Sequence, residues 1–247
     1  MLKNNKEQTM ENKGRTALIT GANRGLGFAM AEKLGSMGMK IIMACRQKAS
    51  GEKAVEALKA KNIDAELCVV DVGDVAQIEA AGKEIAAKHP VIDVLINNAG
   101  ISIEPYEMKI EEMDYKLHDK TMSVNVTGTI WMIKVLTPLL KKSPDARVIN
   151  FSSGLGQLSV PRMGKFLSYS VSKTAVNQVT WYLADEFKDT NIKIFSVDPG
   201  WVKTDMGGPN AMLEIPEGID TPVWLATAEK EEVQSGGFYK ERKILGW

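Results

Sequence analysis

RTALITGANRGLG, residues Arg15–Gly27, reads as a short apolar strand that runs into glycines and then into a helix. Leu26, Met30, Leu34 and Met37 follow at helical spacing, and Gly38 ends the run. Outward from this unit the alternation repeats. Strand candidates lie at Met39–Ala44, Ala65–Val70, Val91–Asn97, Arg147–Phe151 and Ile192–Val197. Helical stretches are expected at Lys48–Lys61, Val75–Lys88, Glu107–Leu117, Met122–Lys142 and Ser168–Lys188. A short helix near Thr221–Ala228 and a last strand near Gly237–Tyr239 close the chain. Near-continuous apolar strands alternating with helices predict an α/β fold, a doubly wound parallel sheet with helices on both faces.

The composition excludes several classes. The 247 residues carry 31 basic and 31 acidic side chains, and are 44% hydrophobic and 25% charged, which is ordinary globular usage. Phosphate-rich partners need a basic excess, so the zero net charge argues against nucleic acid and anionic membrane surfaces. No uninterrupted apolar run approaches the ~18 residues of a bilayer span. Residues 1–12 are polar, have no apolar stretch of a secretory signal, and are expected to form a disordered leader ahead of one domain at 13–247. Cys45 and Cys68 cannot build a disulfide framework and lack zinc spacing, and His89 and His118 are too few for a metal triad. These features predict a cytoplasmic chain without a metal.

Gly21, Gly25 and Gly27 sit where the first strand meets the first helix. Glycine there lets the backbone turn tightly and approach a pyrophosphate, while the helix N-terminus offers unpaired N–H groups. Asn23, Arg24 and Leu26 complete this loop. Such a trio also serves plain strand-to-helix geometry, but its context points to a Rossmann-type sheet of about seven strands that binds a dinucleotide. A chain preferring NAD would carry a carboxylate at the end of the second strand. Arg46 stands there instead, and with Arg24 it suits a 2′-phosphate, so NADP(H) is the expected cofactor. Asp71 and Val72 end the third strand and could face the adenine. Asn98, Ala99 and Gly100 follow the fourth strand and leave room for a ribose. Pro199, Gly200, Val202 and Thr204 follow the sixth, at the nicotinamide end.

Tyr169 and Lys173 are four apart at the start of a long helix, so phenol and ammonium share one face. A tyrosine titrates near ~10, and a neighbouring cation favours its phenolate. The pair is expected to exchange a proton with a carbonyl or alcohol oxygen. Ser152 and Ser153 end the fifth strand, where a hydroxyl can stabilise charge on that oxygen. Asn125 lies in an apolar helix. It could hold a water linking Lys173 to solvent, or could equally be a satisfied structural amide. The Gly-, Pro- and Met-rich loop at about 205–217 is a candidate substrate lid.

From Lys13 onward the chain resembles the short-chain dehydrogenase/reductase family, with TGxxxGxG, NNAG, the helix asparagine, the serine, YxxxK and the PG segment in the family's order. Its tail, PGWVKTDMGGPNA through GGFYKERKILGW, is similar to the carbonyl-reductase-like branch. The resemblance implies catalytic roles for Asn125, Ser153, Tyr169 and Lys173, with the second serine of the pair chosen over Ser152. It implies NADPH-dependent reduction of a ketone or aldehyde. Two other readings are an acyl-carrier-protein reductase and a non-catalytic NADPH sensor. The first would want a basic patch that the charge balance does not advertise, and the second should have lost tetrad members. In the family, helices such as 122–142 and 168–188 often pair between subunits, which implies a homodimer or homotetramer, although burial of these helices inside one chain is the alternative. Ser153 and Tyr169 are 16 positions apart, longer than the family's commoner spacing, so Leu158–Leu167 should bulge.

Overall fold

A computed structural model describes residues 12–161 and 164–247. The strands are β1 (Thr16–Thr20), β2 (Lys40–Cys45), β3 (Ala65–Val69), β4 (Val94–Asn97), β5 (Ala146–Phe151), β6 (Ile192–Val197), β7 (Phe238–Lys240) and β8 (Lys243–Leu245). They form one sheet in the order β3-β2-β1-β4-β5-β6-β7-β8, parallel through β7, with β8 antiparallel on the edge. The principal helices are α1 (Gly25–Ser36), α2 (Lys48–Lys59), α3 (Val75–Lys88), α4 (Tyr115–Leu140), α5 (Leu167–Glu186) and α6 (Ile215–Thr227).

Alternate residues of the central strands serve opposite faces. Ala17, Ile19, Ile41 and Met43 join a core with Met30 and Leu34 of α1 and Leu225 of α6. Leu18, Ile42 and Leu95 join another with Ile78 and Ile85 of α3 and Leu136 of α4. Each fully buried Leu, Ile or Met stabilises the sheet by about 2 kcal/mol, so the strand ends form a rigid platform. Strand order reverses between β1 and β4, and the crevice at that reversal is where open α/β sheets bind ligands.

Four expectations need correction. Among the described residues the sheet has eight strands, against about seven expected, because Glu241 and Arg242 adopt φ of 49° and 58° and turn the chain back into β8. Left-handed hairpin turns usually announce themselves with Gly or Asn, and this one does not. The two helices expected at Glu107–Leu117 and Met122–Lys142 are one continuous helix. It starts at Tyr115, where Asp114 caps the Lys116 N–H at 2.9 Å, and passes through a π turn at Ser123–Thr127. Only a 3₁₀ turn, Ile110–Glu112, precedes it. The last helix begins at Ile215, not Thr221, because Glu214 and Glu217 form a capping box; the candidate lid therefore ends at Glu214.

The α4 helix is apolar enough over 18 residues to pass a membrane-span criterion, but half of that window is buried, packed on α3 and the sheet. Of the expected leader, residues 1–11 lie outside the described residues. Asn12 is buried and its Oδ1 accepts from Arg15 at 3.2 Å.

Candidate active site

The site gathers at the carboxyl ends of β1, β4, β5 and β6. Between β1 and α1, Gly25 has φ of 54°, and a Cβ on Gly27 would stand 2.4 Å from the Gly21 carbonyl oxygen. Only glycine permits this close folding of the loop. Asn98 holds the loop from across the crevice: its Nδ2 donates to the carbonyls of Thr20 at 2.8 Å and Gly21 at 3.3 Å. The Ala99 N–H donates to the Thr20 hydroxyl at 3.0 Å. Arg24 occupies the N-cap of α1 without capping it, and no acidic side chain lies in the first turn. The leading N–H groups and the helix dipole are thus open to an anion, which fits a pyrophosphate.

Arg46 is exposed at the end of β2. Arg24 is also exposed, and its Nη1 lies 2.6 Å from Asp205 at the base of the candidate lid. Asn23 donates to Ser50 at 3.2 Å, tying the loop to α2. Asp71 spends one carboxylate oxygen on the Gly73 N–H at 2.9 Å. Leu26 and Val72 pack against the two cores, and Val202 is buried against α6, its Cγ2 filling the space beside Gly218. These three can offer backbone, not side chains, to a ligand. Thr204 lies against Gly25, and Gly200, at φ of 78°, packs under Leu213. Backbone bonds from Lys203 to Leu213 and from Leu213 to Trp201 close the base of the 205–214 loop. A cavity of about 300 Å³ opens behind it, lined by Pro199, Leu213, Thr221 and Lys240 but not by Tyr169.

Lys173 is buried, and its Nζ donates to the Phe151 carbonyl at 2.8 Å and stands 5.4 Å from the centre of the Tyr169 ring. Burial holds the ammonium down at about 8. Burial also raises the Tyr169 phenol to about 12; a hydrogen bond from Ser153 opposes this, and the charge of Asp198 adds to it. The lowering expected from the lysine is not seen; desolvation prevails, so the phenol is protonated at neutral pH. The two serines separate cleanly. Ser152 is buried and donates to the Lys173 carbonyl at 3.2 Å. Ser153 is partly exposed beside Tyr169, and its hydroxyl accepts the Leu155 N–H at 3.2 Å.

Asn125 sits in the π turn, a rare element that often marks functional positions. Its Oδ1 accepts the Ile101 N–H at 2.8 Å; its Nδ2 donates to the Ile101 carbonyl at 2.9 Å and to Ser172 at 3.0 Å. These bonds tie the amide to the Ile101 peptide and to α5. Gly100 lies between Asn125 and Lys173, since a Cβ there would be 3.4 Å from both side chains. The described part of the 158–167 segment is tied to two other parts of the chain: the Ser159 N–H donates to the Trp247 carbonyl at 2.7 Å, and the Lys165 carbonyl accepts from the Glu107 N–H at 3.1 Å. Sequence reasoning missed Ser172, whose hydroxyl donates to the Tyr169 carbonyl at 2.7 Å, and Glu104, which accepts from the N–H groups of Ser168 and Tyr169. Glu104 had no signal in local spacing because it reaches α5 from 64 and 65 residues away, whereas Ser172 bonds one turn back within its own helix.

The chain is similar to known proteins. (+)-Neomenthol dehydrogenase of Arabidopsis thaliana is 29% identical, covering 93% of this chain and 97% of that protein. Carbonyl reductase [NADPH] 1 of Mus musculus is 28% identical over 94% of this chain and 98% of its own. The crystal structure of NADPH-bound carbonyl reductase from chicken fatty liver superposes with a TM-score of 0.83 at 27% identity, covering 95% of this chain and all of that one. The short chain dehydrogenase family model matches residues 15–212, from the strand before the glycine loop to the candidate lid. The glycine loop, the strand ends and the tyrosine–lysine helix thus fall inside one family match, and the chain belongs to the short chain dehydrogenase family.

Proposed function

We propose that this chain reduces a ketone or aldehyde to an alcohol, with NADP(H) as cofactor and Tyr169 as proton donor. The observation that carries the reading is the Tyr169 phenol: protonated at neutral pH, beside Ser153, and one helical turn from the buried Lys173. The open N-terminus of α1 supports a pyrophosphate, and Arg24 and Arg46 support a 2′-phosphate over a free hydroxyl. Relatives named for or bound to NADPH agree with that choice. When bound, the reduced nicotinamide supplies hydride. Ser153 hydrogen-bonds the substrate oxygen, Tyr169 delivers a proton to it, and Lys173 keeps positive charge beside the phenol as the phenolate forms. Asn125 braces the Gly100–Ile101 segment against the helix that carries both residues. In the reverse direction the same phenolate removes the alcohol proton. A second copy of the chain is proposed to cover the outer face of α5.

Tyr169→Phe tests the reading. Turnover of NADPH with a panel of acetophenone, benzaldehyde, cyclohexanone and a steroid ketone should fall by roughly 10²–10⁴-fold, while NADPH still binds. Unchanged turnover with every reduced member of the panel would remove the tyrosine from the chemistry.

A further inference from the structure

The first turn of α5 is held by a side chain that arrives from another loop. Four leading N–H groups of a helix lack partners within it. The N-cap of α5, Phe166, supplies no side-chain bond. Glu104 supplies two from 64 and 65 residues away: Oε2 accepts from Ser168 at 2.9 Å and Oε1 from Tyr169 at 3.0 Å. The carboxylate is only 6% exposed, so both bonds are shielded from competing water. Ser168 is wholly buried, and its hydroxyl meets His118 Nδ1 at 3.1 Å.

The peptide groups of Tyr169 are therefore gripped at both ends. Its N–H is bound by Glu104, and its carbonyl by Ser172, which itself accepts from Asn125. The chain on either side is zipped as well. Glu107 pairs its N–H with the Lys165 carbonyl and its carboxylate with the Lys165 ammonium, and the rings of Tyr106 and Phe166 meet edge to face at 5.3 Å. Residues near the end of a helix ordinarily fray. A proton donor in the first turn needs a device against fraying, because a misplacement of about 1 Å can cost 10²-fold in rate.

We propose that Glu104 is a positioning residue, fixing the backbone of Tyr169 so that the phenol is aimed at the substrate oxygen. The inference rests on Tyr169 being the proton donor. Glu104 acts only through Tyr169 and its neighbour and need not touch substrate.

The test uses Glu104→Ala and Glu104→Gln in the full chain, assayed with the fastest-reduced carbonyl of the panel above. Glu104→Ala should lower kcat roughly 10- to 100-fold, with KM and NADPH affinity by fluorescence little changed. Glu104→Gln keeps one acceptor oxygen and should fall between the two. In a Tyr169→Phe background, Glu104→Ala should cost nothing further, because its effect passes through that phenol. Wild-type kcat in either folded variant overturns the proposal. So does a loss that adds fully to that of Tyr169→Phe, or one shared equally by NADPH binding. Should the alanine variant not fold, the glutamine variant decides alone. If Tyr169→Phe by itself leaves turnover intact, the proton-donor reading fails; if it abolishes turnover while both Glu104 variants stay active, only Glu104 is wrongly assigned.

Discussion

Lys173 holds its ammonium 5.4 Å from the centre of the Tyr169 ring while spending one N–H on the Phe151 carbonyl at 2.8 Å. The pair is thus anchored to the end of β5 as well as to its own helix. Both groups are displaced toward their neutral forms by the same cause, burial, which puts the lysine at about 8 and the tyrosine at about 12. The phenol is kept as an acid, and the lysine stays charged through neutral pH.

This displacement makes Lys173 a pH-dependent burden on the fold. Unfolded, the amine returns to its ordinary 10.5; folded, it sits near 8. Between those values the unfolded chain binds more protons, so this group makes stability rise as pH climbs from about 8 toward 10.5. Below 8 the full cost of the buried charge is present. Urea midpoints taken from pH 7 to 10 should therefore rise more steeply in the wild-type chain than in Lys173→Met. Parallel profiles would show that the lysine is not desolvated as described.

The paired serines predict opposite phenotypes. Ser153→Ala removes the hydroxyl beside the phenol and should cost roughly 10²–10³-fold in kcat with little change in melting temperature. Ser152→Ala removes a buried bond to the Lys173 carbonyl and should cost about 1 kcal/mol of stability, with a smaller loss of rate. Steady-state kinetics and thermal melts on both variants check this. Equal kinetic losses would undo the choice between them.

The parts of this site that share a strand end or a helical turn were legible in the amino-acid sequence. Gly21, Gly25 and Gly27 show their purpose by standing between an apolar run and a helix, and Tyr169 and Lys173 by standing one turn apart. What could not be read depends on long-range pairing. Glu104 looks like an ordinary loop carboxylate until the fold brings it under α5. The π turn at Asn125 has no local code that separates it from α-helix. β8 was hidden because its turn uses Glu241 and Arg242 in a conformation that favours other residues. The phenol's upward shift was missed for a related reason: spacing shows the neighbouring cation but not the burial that sets the shift.

Cofactor choice turns on Arg46 and Arg24. Arg24 is bound to Asp205, but both side chains are about 72–73% exposed, and such surface pairs contribute at most about 1 kcal/mol. A 2′-phosphate can therefore draw the guanidinium away. Arg46→Asp should weaken NADPH binding roughly 10- to 100-fold, the worth of charge-assisted bonds to one phosphate, while NADH binding changes little. Fluorescence titration with both cofactors is sufficient, and equal losses would count against a phosphate at this position.

The outer face of α5 carries the last prediction. Leu167, Val171 and Tyr182 are exposed along one stripe of the helix, with Trp181 beside them at 57% exposure. A large apolar stripe on a helix whose other face is buried in the sheet is costly to leave in water, and Trp and Tyr are favoured anchors of subunit contacts. A second copy of this chain can present the same stripe in return, as two-fold symmetry requires. Light scattering should give a mass of at least twice the 27.1 kDa chain, and Trp181→Asp with Tyr182→Asp should return it to a monomer that still binds NADPH. A wild-type chain that stays monomeric at its assay concentration would leave that stripe without a symmetric partner.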